Sequence, residues 1–129
     1  MELGKHAQAA HRMILVVDDD ARARAAVARI LEEEGYEAKE AADGEEAASL
    51  LEACKPDLVL TDLHMPRLDG RGLLRRVRAV LPGTPVIVLS ARGGSGTIPL
   101  TGGMGAAAVL RKPVELDDLL GRIRELIGR

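Results

Sequence analysis

The chain has no phenylalanine, no tryptophan and a single tyrosine, Tyr36. Its core must therefore be aliphatic, and modules that read nucleic acid by stacking bases on aromatic rings are disfavoured. Charge of one sign is also missing. Lys and Arg number 18 against 20 Asp and Glu, a formal charge of −2, so no basic field argues for direct nucleic-acid binding. No apolar run approaches the ~20 residues of a membrane helix. The N-terminus lacks the apolar stretch of a signal peptide, and no membrane insertion is expected. The single cysteine, Cys54, excludes an internal disulfide and fits a reducing, cytoplasmic compartment. What remains is 47% hydrophobic and 29% charged over 129 residues, ordinary proportions for one globular domain.

Residues 1–12 carry no usable period and read as a disordered tail or an added remnant, with His6 and His11 as solvated side chains; the folded domain is expected over 13–129. Within it, short apolar runs alternate with helical patterns. MILVV (13–17), 36–40, 57–61, PVIVL (85–89) and 107–110 read as strands. Helices are expected over 21–34, over 44–54 behind an Asp43 cap, over 70–81 and over 115–127. Strands alternating with helices predict a parallel sheet covered on both faces, with right-handed crossovers. The ligand site of such a sheet lies beyond the carboxyl ends of its strands.

The chemistry-bearing residues fall at those ends. Asp18, Asp19 and Asp20 follow the first strand, Asp62 closes the third, Ser90 closes the fourth and Lys112 follows the fifth. Three neighbouring carboxylates repel unless a hard cation neutralises them. Asp19 and Asp62 suit direct Mg2+ ligation, Asp18 ligates directly or through water, and the backbone carbonyl of His64 can complete the set. An ionised Asp is also a competent nucleophile toward phosphorus, giving an acyl phosphate, and the metal offsets charge on the moving group. Lys112 offers a point charge, and Ser90 a hydroxyl, to phosphate oxygens. Each residue alone has a plainer reading. Asp18–Asp20 reads equally as a solvated helix start, Asp20 as a cap or outer-shell group, Ser90 as a strand-end cap and Lys112 as a surface charge. The His64 side chain reads as solvent-facing, and Asp69-Gly70 as turn and helix-start chemistry. Their conjunction, in order and each at a strand end, is what favours a site.

From these motifs the chain resembles a response regulator receiver domain, the chemotaxis-regulator-like phosphoacceptor module of two-component signalling. ILVVDDD, TDLHMPRLDG, VIVLSA and LRKP carry the resemblance, which spans about residues 13–128. It implies a flavodoxin-like, doubly wound α/β fold with a five-stranded parallel sheet of order 2-1-3-4-5 and five helices. It also implies Asp62 as the phosphorylated residue, Asp18, Asp19, Asp62 and the His64 carbonyl around Mg2+, and Ser90 and Lys112 as phosphoryl contacts. Lys112-Pro113 is often cis in this family, and His64 and Arg92 fall where the family tunes dephosphorylation. The implied phosphodonor is a histidine kinase or a histidine phosphotransfer protein.

Two positions depart from the family pattern. Val109 stands where an aromatic residue or His is usual, three residues before the lysine, so no ring can flip inward behind Ser90. The helix expected between the fourth and fifth strands coincides with GGSGTIPLT (93–101), followed by Gly102 and Gly103. Interior Gly costs about 1 kcal/mol and Pro about 3 kcal/mol relative to Ala, so a short, distorted or mobile segment is expected, with output through an order–disorder change over 92–105. Backbone NMR with and without beryllofluoride tests that expectation, which unchanged signals there would defeat.

The leading expectation is a signalling switch rather than an enzyme, acting on a downstream protein or on an output domain that only two residues after Ile127 leave no room for here. A Mg2+-dependent phosphohydrolase of the haloacid dehalogenase type is the first alternative, because Asp18 and Asp20 also form DxD. The second is a receiver-like binding module that is not phosphorylated.

Overall fold

The structure is a computed structural model that describes residues 12–65, 67–90 and 106–128. The chain runs β1 (Met13–Val17), α1 (Ala21–Glu33), β2 (Glu37–Ala41), α2 (Gly44–Cys54), β3 (Leu58–Asp62), α3 (Gly70–Val80), β4 (Val86–Ser90), β5 (Ala108–Arg111) and α4 (Leu116–Ile127). All neighbouring strands pair in parallel, in the order β2-β1-β3-β4-β5. This is the expected α/β sheet. Four helices lie among the described residues rather than the five the family resemblance implies. The segment expected to hold the remaining one, with Arg92 and the glycine-rich stretch, falls outside them.

The central strands are buried on both faces, which is why they read as unbroken apolar runs rather than alternating ones. Side chains nonetheless alternate between two cores. Leu15, Val17, Val59, Val86 and Val88 meet Leu51 of α2 and Leu73, Leu74 and Val77 of α3. Ile14, Val16, Leu58, Leu60, Ile87 and Leu89 meet Leu31 of α1 and Leu119, Leu120 and Ile123 of α4. The edge strand β2 (EAKEA) is largely exposed, so its apolar content is low.

The starts of α1, α2 and α3 follow from short acids. The Asp20 carboxylate accepts from the Arg22 and Ala23 N–H groups and caps α1. Asp43 caps α2 through Glu46 N–H at 2.8 Å, and the Glu46 carboxylate in turn accepts from Ala42 N–H at 2.7 Å. Asp69 caps α3 through Gly72 N–H at 2.9 Å. Asp20, Asp43 and Asp69 thus have the capping roles read from the sequence. Tyr36 is 3% exposed and donates its hydroxyl to the Gly128 carbonyl, 2.8 Å away, tying the start of β2 to the end of α4. No helix among the described residues is long and apolar enough to cross a membrane.

Candidate functional site

The carboxyl ends of β1, β3, β4 and β5 lie side by side, and the backbone there is closely tied. Asp18 N–H bonds to Ala41 O at 3.2 Å, and the Asp18 carboxylate accepts from Asp20 N–H at 2.9 Å. Leu63 N–H, immediately after Asp62, bonds to Leu89 O at 2.9 Å, and Lys112 N–H bonds to Ser90 O at 2.8 Å. Gly70 N–H closes the loop after β3 on Leu63 O at 2.9 Å. A Cβ at Gly70 would lie 2.9 Å from Asp62 O, so only glycine lets α3 start this close to the strand end.

Asp18, Asp19 and Asp62 come together here, each offering a carboxylate oxygen within 4.8 Å of the others. Asp18 is buried, Asp62 half-buried and Asp19 exposed. Lys112 Nζ stands 3.0 Å from Asp62 Oδ1 and 3.7 Å from Asp18 Oδ2. The Lys112-Pro113 peptide is cis. Ser90 is 1% exposed and lies one register step beyond Leu89, the partner of Asp62. His64 follows in the turn with its side chain exposed, as expected. Val109 pairs in register with Val88 and packs half-buried against the α2–α3 core.

The electrostatics are those of an acidic pocket that holds the Lys112 ammonium. Burial pushes the Asp18 carboxyl above its ordinary value, and the Asp62 and Asp19 charges add to that; the Asp20 N–H bond and Lys112 oppose it. Burial alone would lower the Lys112 ammonium, but the hydrogen bond and charge of Asp62, with Asp18 and Asp19, outweigh it and raise it. The three carboxylates offer hard oxygen donors, a set that could hold a metal ion.

One group in this shell had no distinguishing sequence signal. Arg24 Nη1 donates to the Asp18 carbonyl at 2.7 Å, and Arg24 Nε to Glu40 Oε1 at 2.9 Å, fastening the acidic loop to β2. In the sequence Arg24 is one of several arginines on a half-exposed helix. Only its position four residues after the Asp20 cap turns it back over the loop.

Beside the pocket runs an apolar groove of about 710 Å³ between α1 and α4. It is lined by Val27, Ile30, Leu89, Val114, Leu116 and Leu119, and Asp18 and Lys112 also line it.

Comparison with known proteins agrees with this arrangement. Residues 14–124 match the family model described as response regulator receiver domain. Response regulator MprA of Mycolicibacterium vanbaalenii is 40% identical over 116 residues, 90% of this chain and 50% of that protein. MprA of Mycobacterium avium is 39% identical, covering 90% and 51%. The chain thus spans about half the length of these curated relatives. Among solved structures, a CheY-like receiver domain protein from Methanospirillum hungatei superposes with a TM-score of 0.84 at 33% identity, covering 89% of this chain and 92% of that one. A receiver protein from Pseudomonas putida gives 0.82 at 32%, covering 89% and 97%. These relatives are signalling proteins, and the haloacid dehalogenase alternative has a further difficulty: the second Asp of its DxD is the α1 cap. The chain belongs to the response regulator receiver domain family, the signalling switches of two-component systems.

Proposed function

We propose that Asp62 is the phosphoacceptor of this receiver domain, phosphorylated in a Mg2+-dependent reaction. The observation that carries the reading is the cluster of Asp18, Asp19 and Asp62 closed by the Lys112 ammonium 3.0 Å from Asp62. Asp18, Asp19, Asp62 and the His64 carbonyl would hold the metal, which when bound supplies positive charge to phosphate oxygens. An Asp62 carboxylate oxygen forms the bond to phosphorus while the bond from phosphorus to the donor's histidine nitrogen breaks, and the electron pair leaves with the imidazole. Lys112 exchanges part of its contact with the Asp62 charge for a phosphoryl oxygen, and the Ser90 hydroxyl donates to another. The resulting population shift is the signal.

The donor is a histidine kinase or histidine phosphotransfer protein. The groove between α1 and α4 fits an apolar helix face on it, because Asp18 and Lys112 share its lining with apolar side chains and a donor histidine held there would lie near the site. The output is a downstream protein, or an output domain in a longer chain. The compartment that fits is the cytoplasm.

The test is intact mass after incubation with acetyl phosphate and Mg2+. One added phosphoryl group is expected in the wild type and none in Asp62→Asn. A second reading, a receiver-like binding module that is not phosphorylated, is favoured by Val109 at the usual aromatic position. It would stand if the wild type also gains nothing.

A further inference from the structure

The loop between β3 and α3 carries Asp62 at its root and His64 two residues on. Its ends are held by the Leu63–Leu89 and Gly70–Leu63 backbone bonds. Its far side is held by three consecutive residues, each against a helix start. Arg67 adopts φ +67°, a left-handed conformation that costs an L-residue roughly 1–2 kcal/mol. In that conformation its guanidinium reaches Asp43 Oδ2 at 3.1 Å and Glu45 Oε1 at 3.8 Å, at the start of α2. Leu68 lies half-buried between two glycines. A Cβ at Gly44 would fall on the Leu68 carbonyl oxygen and lie 2.6 Å from Leu68 Cβ. A Cβ at Gly72 would strike Leu68 Cδ1 and lie 3.1 Å from Cγ. Asp69 then caps α3.

Exposed ion pairs like those of Arg67 contribute little by themselves. The close approach of the Leu68 backbone and Cβ to Gly44 is the stiffer restraint, because backbone cannot give way as a side chain end can; over Gly72 it is the end of the Leu68 side chain that makes the contact. Resting on the reading of Asp62 above, we propose that Leu68 is a positioning residue: seated in the Gly44–Gly72 socket, it fixes the height of the Asp62–His64 segment over Asp18 and Asp19 and so sets the affinity for Mg2+. Mg2+ tolerates little departure from octahedral geometry with oxygens at about 2.0–2.1 Å, so small lifts of this loop should be felt at the metal before they are felt in overall stability.

The test compares Leu68→Ala, Leu68→Met, Gly72→Ala and the distant core variant Ile123→Val. The readouts are Mg2+ affinity by calorimetry, urea stability, and the Leu63 and His64 amide signals of the metal-free protein. Leu68→Ala is expected to weaken Mg2+ binding about tenfold, the low end for outer-shell support of a metal ligand, and to move both amide signals. Leu68→Met, which refills the socket, should restore both. Gly72→Ala, whose added Cβ meets the flexible end of the Leu68 side chain, should weaken binding less than Leu68→Ala does. Ile123→Val should lower stability without changing either readout. Leu68→Ala protein that loses stability yet keeps its Mg2+ affinity and amide signals would overturn the proposal, as would Leu68→Met failing to rescue. Wild-type protein that binds no Mg2+ would overturn the Asp62 reading as well, and that failure is visible before any variant is made.

Discussion

The Lys112 ammonium and the Asp62 carboxylate form a 3.0 Å ion pair that joins the turn after β5 to the end of β3. The same ammonium reaches Asp18 at 3.7 Å, so the lysine is the internal counter-charge of the acidic pocket while no metal is bound. On the reading proposed above, a bound metal would compete with the lysine for the same carboxylates.

Lys112→Met should tighten Mg2+ binding, by roughly three- to tenfold if about 1 kcal/mol of like-charge repulsion is relieved. It should slow phosphorylation by acetyl phosphate at least tenfold, because the contact to the moving phosphoryl group is gone. Calorimetry and intact-mass time courses measure the two effects, which have opposite signs for binding and reaction.

The raised Asp18 carboxyl fixes a pH dependence. Its folded-state value lies above the unfolded one, so the stability it contributes is fully present below the unfolded value, 3.8, and is lost as pH rises through the folded value. At neutral pH the metal-free wild type should therefore be less stable than Asp18→Asn, which keeps the oxygen that accepts from Asp20 N–H. The difference should shrink toward zero as pH falls through the acid range. Thermal melts of both proteins over pH 3–7 read it out, and saturating Mg2+ should reverse the order at pH 7.

Leu116 opens α4 at the rim of the α1–α4 groove and is 42% exposed. Leu116→Glu should fold normally, since an acid in a first helical turn is favourable. It should cut the rate of phosphotransfer from a histidine phosphodonor about tenfold, as expected when an interface anchor of ~1.4 kcal/mol is lost. The rate with acetyl phosphate, which needs no docking groove, should not change. Parallel assays with the two donors check the split.

Val109 packs against the α2–α3 core, in register with Val88. Val109→Ala should cost roughly 1–2 kcal/mol, from two methylene-sized groups removed from the α2–α3 core. Acceptance of phosphate at Asp62 should persist. Urea unfolding and intact mass separate the packing role from the acceptor chemistry.

The parallel sheet was legible because burial on both faces leaves a run such as VIVLS without a polar position, whereas its strand order came only from the family resemblance. The three aspartate caps were legible for a related reason: a short acid before a helical period has few other uses. The meeting of Asp18, Asp19, Asp62 and Lys112 was legible from their places at the carboxyl ends of strands in a parallel sheet, together with the order that the resemblance implies. Arg24 and Leu68 were not legible. Both sit in local patterns that fit a surface arginine and an ordinary loop leucine. Their roles arise from contacts across the fold, Arg24 with Asp18 and Glu40, Leu68 with Gly44, which no periodicity records. Val109 was legible only as a departure from a family pattern, and its packing against the α2–α3 core gives the position a structural use of a different kind.

The tether between Tyr36 and Gly128 has a practical consequence. With no tryptophan in the chain, the near-ultraviolet absorbance and emission come from this one ring, whose hydroxyl is bonded to the end of α4. The protein therefore carries its own optical gauge of whether that helix is seated. A shift in tyrosine emission on phosphorylation would report movement at α4, some distance from Asp62, without any label being added.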